Sequence, residues 1–160
     1  MIWALTLFLA QAAVPTQIER GEALFHDAAR GCANCHALKG KGTAVGPDLK
    51  DISRLSPKAI AMGVRSTVTQ YVQVIKLKSG QSFPGMPPKD NAAEVHDLSK
   101  NPPVAHKASK ADVVSMSANN GWKHPPATAK MSDAEMADVI AYIRFAGANN
   151  RQQVSPDDVK

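Results

Sequence analysis

Cys32-Ala33-Asn34-Cys35-His36 is the stretch that decides how this chain is read. The C-x-x-C-H spacing lets two thiols reach the two vinyl groups on one edge of a porphyrin. The next residue then places an imidazole under the iron as proximal ligand, so the motif is the attachment signature of a covalent c-type haem. The chain holds 2 cysteines in all, which excludes a structural disulfide network, and one haem accounts for both sulfurs. Three rival readings are weaker. A zinc site wants further Cys or His at ligand spacing, and no second C-x-x-C exists. A thioredoxin-like pair follows a strand in a βαβ pattern, whereas an amphipathic helical segment precedes Cys32. A plain disulfide between the two thiols is the third.

The N-terminus agrees with a haem attached outside the cytoplasm. The apolar run Ile2 to Ala10 is followed by Ala10-Gln11-Ala12, an A-x-A site that predicts a signal peptide over residues 1–12. No Lys or Arg precedes the run. It is too short to span a bilayer comfortably, so no permanent membrane span is expected after cleavage; an uncleaved anchor is the alternative. The location expected is periplasmic or otherwise exported. About 148 residues then remain, enough for one compact domain, residues 13–147 with a tail. The formal charge of +5 falls to about +3 with two haem propionates. The lysines are scattered and not interleaved with aromatics, so no nucleic acid is expected as a partner, and a solvated surface is favoured over steering toward an acidic partner.

Three helices are expected. Ile18, Gly21, Phe25 and Ala28 share one face of a helix over Gln17 to Arg30, ended by Gly31. Ser56-Pro57 starts a second, with Ile60, Gly63 and Val64 inward. Ser132 to Glu135 forms a capping box, with Met131 and Met136 as its hydrophobic staple. Val139, Ile140 and Ile143 continue that stripe to a stop at Gly147. The polar tail 148–160 reads as disordered. Residues 71–116 read differently. Tyr71 to Leu77 is rich in β-branched residues, Ser79-Gly80 suits a hairpin turn, and short apolar pieces follow around Phe83, Val95 to Leu98, Val104 and Val113-Val114. They predict a small antiparallel β-meander inserted in a helical domain, without a second core.

With Gly21 and Phe25, the C-x-x-C-H motif, Gly46-Pro47-Asp48-Leu49 and the terminal helix Met136 to Ile143, the chain resembles the class I cytochrome c family. The match covers residues 17–67 and 122–147. The middle is similar to haem-binding domains associated with periplasmic quinoprotein-type dehydrogenases, which carry a β-rich insertion before the distal ligand. The resemblance implies a mainly α fold, in which the first and last helices cross and cradle one covalent haem c. It implies Cys32 and Cys35 as thioether attachments and His36 as proximal iron ligand. The Pro47 carbonyl would accept the Nδ1–H of His36, leaving Nε2 for iron. The other reading of Gly46-Pro47 is an ordinary turn.

The sixth ligand is open. The family presents a methionine, often before proline, from the loop preceding the last helix. Here His124-Pro125 stands in that place, so His124 is the first candidate. Met86, in Met86-Pro87, is the second; Met116 and Met131 follow, and an open site is the last. Met62 is expected to pack, and His26, His96 and His106 to lie at the surface. Trp122 either packs against the porphyrin edge or fills core. Bis-histidine ligation predicts a lower potential than methionine ligation.

A one-electron carrier follows, with redox proteins as partners, among them a periplasmic dehydrogenase or a terminal oxidase. No Ser/His/Asp arrangement or glycine-rich phosphate loop argues for catalysis. The competing class is a haem enzyme or a gas or peroxide sensor with an open or labile distal site. A third reading is a haem subunit held on a dehydrogenase, with the β-insertion as docking surface.

Overall fold

The computed structural model describes residues 15–66, 71–125 and 130–160. The signal peptide expected at 1–12 lies outside the described residues.

Helix α1 (Gln17–His26) starts at a capping box in which the Thr16 hydroxyl accepts from Glu19 N and the Glu19 carboxylate accepts from Thr16 N. It ends four residues before Arg30. Asp27 turns extended, and its carboxylate accepts from Ala29 N at 2.8 Å, diverting the chain into a turn. Helix α2 (Cys32–Cys35) is one turn carrying the cysteines. Helix α3 (Pro57–Arg65) is capped by Ser56 with proline in its first turn. Helix α4 (Asp133–Ala148) carries the Ser132–Glu135 capping box, and Met131 and Met136 flank it, both buried.

The first and last helices cross at a glycine. A Cβ on Gly21 would lie 1.9 Å from the Asp138 carbonyl oxygen, so no larger residue allows this approach. Arg20 seals the crossing with two bonds to the Asp138 carboxylate, at 2.8 and 2.9 Å. Phe25, Ile60, Met136, Ile140 and Ile143 form the core beneath it. Each large apolar side chain buried there contributes about 1.5–3 kcal/mol.

The expectation of a mainly α molecule is overturned. The described chain is 33% helix and 20% strand, in three small sheets. Strands β1 (Ala37–Leu38) and β2 (Lys41–Gly42) form a short hairpin. Strands β3 (Gln73–Leu77), β4 (Ser82–Gly85) and β7 (Val113–Ala118) form a sheet in the order β4-β3-β7, and β5 (Glu94–Asp97) pairs with β6 (Val104–Lys107) alone. This is not a meander, because β7 returns to the far edge of β3 and leaves β5–β6 as a separate hairpin. The insertion also has a core that the sequence reading left out: Ile75, Leu77, Phe83, Val95 and Ala108 cluster apart from the helical core. Enough apolar area is buried there to hold strands that would be marginal as an isolated hairpin.

The segment after Gly147, expected to be disordered, is docked. Val154 and Val159 are buried. The Gln17 side chain donates to Val154 O and accepts from Val154 N, and Arg65 donates to Val159 O at 2.6 Å. Two well-placed valines suffice to anchor an otherwise polar tail.

Candidate haem site

Gly31, in the left-handed region, turns the chain into α2, and the segment that follows is laced back onto it. Thr43 N donates to Ala33 O, and Val45 N and Gly46 N both donate to Cys35 O. This lacing brings Pro47 beneath His36, whose Nδ1–H donates to the Pro47 carbonyl at 2.8 Å. The tautomer is thereby fixed, and Nε2 keeps its lone pair. Gly46 makes room for the ring: a Cβ there would sit 2.7 Å from His36 Cε1.

Cys32, Cys35, His36 and Pro47 form one wall of a cavity of about 600 Å³, a volume that suits a cofactor. Helix α3 contributes Ala59, Ile60 and Gly63, and α4 contributes Met136, Val139 and Ile143. Met86, Leu98, Trp122 and His124 line the same cavity. The structure therefore gathers Cys32, Cys35, His36, Pro47, Met86, Trp122 and His124 around one space. Met131 also lines it. Met116 stands on β7, 44% exposed and away from the cavity, and Met62 is 63% exposed, not packed as expected. His26 is exposed as expected; His96 and His106 are partly buried, and His106 stacks on Phe83 with ring centroids 4.7 Å apart.

The electrostatics suit a ligand site. Burial pushes the His36 imidazole below its ordinary pKa, the Pro47 carbonyl opposes this, and the neighbouring His124 lowers it further. Burial also lowers His124, against a hydrogen bond to the Ser66 backbone. Both rings are thus held neutral, the form in which imidazole binds a metal. His124 Nδ1 is buried without a hydrogen-bond partner. Burial pushes the Cys32 thiol up to about 11 and raises Cys35 as well. A reactive exchange pair needs the opposite shift, so the thioredoxin-like reading loses its basis. Among the described residues no group of three or more His, Cys, Asp or Glu is gathered so that it could hold a metal ion.

Several contributors were not singled out in the sequence. Leu98, in the lining, comes from the far insertion, as does Asn101, whose Oδ1 accepts from Asn34 inside the motif, and Ser66 and the α3 wall become neighbours only through packing. For Gly46 there was a local signal, its position before Pro47 and shortly after the motif.

An apolar cavity lined by two thiols and two imidazoles has the donor set that a covalently held haem requires. A model of the family described as Cytochrome c matches residues 18–146, and the chain belongs to the cytochrome c family. No curated protein matches the chain. The family binds haem c covalently, and the residues present fit that group. When bound, the haem supplies an iron centre that holds or releases one electron. The chain's task is to fix and enclose it: the apolar walls exclude water, and the Pro47 carbonyl orients His36 and makes its imidazole a stronger donor. The protein is a haem-binding electron carrier. Among the described residues no helix is long and apolar enough to cross a membrane.

Proposed function

We propose that this chain is a periplasmic mono-haem c-type cytochrome that carries single electrons for a dehydrogenase or a respiratory chain. Cys32 and Cys35 would hold the haem through their sulfurs, and His36 and His124 would offer their imidazoles to its iron. The observation that carries this reading is the buried, unpartnered Nδ1 of His124, on a ring that lines the same cavity as His36. A buried polar atom without a partner costs about 1–3 kcal/mol, which a ligated iron would offset. Two strong imidazole donors also keep the ligand set unchanged between oxidation states, as a carrier requires.

Absorbance and electron paramagnetic resonance spectra of the holoprotein test the assignment. The wild type is expected to show a low-spin bis-histidine signal that His124→Met abolishes, with a rise in reduction potential. A methionine–iron charge-transfer band in the wild type, lost in Met86→Ala, would assign the site to Met86 instead. Cell fractionation and co-purification test the compartment and the dehydrogenase association.

A further inference from the structure

The hairpin β5–β6 spans the two sides of the cavity. At its turn, Asn101 Oδ1 accepts from Asn34 Nδ2 at 2.9 Å, inside the C-x-x-C-H motif. At the end of β5, Leu98 N donates to the Pro84 carbonyl at 2.7 Å, which ties the hairpin to β4. The Leu98 carbonyl in turn accepts from the Trp122 indole N–H at 3.2 Å. Trp122 is two residues from His124, and their rings lie 5.6 Å apart at a 59° tilt. Leu98, Trp122 and His124 all line the cavity.

We infer that Trp122 is a positioning residue for the distal ligand and that β5–β6 is the brace it hangs from. The described part of the distal loop, residues 119–125, has no helix or strand. It is tied by Asn119, whose side-chain oxygen accepts from Gly121 N and Trp122 N, by the indole bond, and by the bond of His124 to the Ser66 backbone, which the indole bond supplements. A ligand carried on such a loop spends more time detached when a tether is removed. One partly buried hydrogen bond is a population factor of about five to ten. The role of the insertion is thus to set how readily His124 leaves the cavity. This inference rests on the reading of His124 as distal ligand.

The test uses full-length ferric holoprotein and the rate of imidazole or cyanide binding, with resonance spectra recorded at rest. Trp122→Phe keeps an aromatic ring and removes the donor. The expected result is a five- to tenfold faster uptake, together with shifted g-values that report a turned distal ring, at about the factor one hydrogen bond supplies. Asn101→Ala is expected to give a smaller increase in the same direction. An unaltered rate in Trp122→Phe overturns the inference; if that variant does not accumulate, an unaltered rate in Asn101→Ala does so. His124→Ala separates the two layers. A wild-type spectrum in that variant defeats the ligand reading itself, whereas lost ligation there beside an unaltered Trp122→Phe defeats only the positioning role.

Discussion

His36 is held from three directions: its own backbone caps α2 by donating to Cys32 O, Pro47 takes its Nδ1–H, and Gly46 leaves no side chain against its ring. Gly46→Ala forces a methyl to 2.7 Å from Cε1, so either the ring or the loop bearing Pro47 must move. The strain corresponds to about 1–3 kcal/mol. The expected outcome is a holoprotein with a lower melting temperature and a perturbed proximal ligand-field spectrum, checked by calorimetry and by low-temperature absorbance. At this scale the sequence was informative wherever the chemistry is local. Cys32, Cys35 and His36 lie within one short stretch and their spacing alone relates them, whereas the role of Pro47 was implied by the resemblance to the cytochrome c family. Partners such as Leu98 and Asn101 were illegible because a backbone carbonyl or a side-chain amide carries no signature of what the fold will bring to it.

Caps show the same division at the scale of elements. The Ser132–Glu135 box and the Ser56-Pro57 start were legible, since a cap is satisfied within one turn. The Glu135 carboxylate is held below its ordinary pKa, first by the Ser132 backbone N–H, then by the Ser132 hydroxyl and Arg30. A lowered folded value means that its stabilisation is complete above the ordinary glutamate range and is lost as the pH falls through the folded value. Thermal melts from about pH 7 to about pH 3 should therefore decline in acid, and less steeply in Glu135→Gln, which keeps an acceptor oxygen but no titrating charge. The strands of the insertion stood where β-branched and apolar runs suggested, but their pairing did not follow from the runs, and the hairpin β1–β2 was not expected. The return of β7 to β3 is a contact between distant segments, settled by the core of Ile75, Phe83 and Val95.

At the scale of the molecule, the helical core lines the cavity together with Met86 and Leu98 from the insertion, and the C-terminal segment closes that core. Val154 and Val159 are buried, and Gln17 and Arg65 bond to their backbones. Deleting residues 151–160 should lower unfolding stability by about 3 kcal/mol, the burial of two valines. Urea denaturation checks this, with the visible spectrum expected to stay unchanged because the tail does not line the cavity. The tail was misjudged because its polar composition is that of a disordered end, and two valines in it say nothing until their receiving surface exists. Helix content was overestimated for a related reason: the family resemblance rests on the helical ends, and the middle third follows its own packing.

The crossing of α1 and α4 joins Arg20 to Asp138, 118 positions later. Until that long-range closure is made, the cavity lacks the wall that α4 supplies. Burial is what raises the Cys32 thiol, so a chain whose last helix has not docked leaves both thiols open to a porphyrin, and docking closes them in.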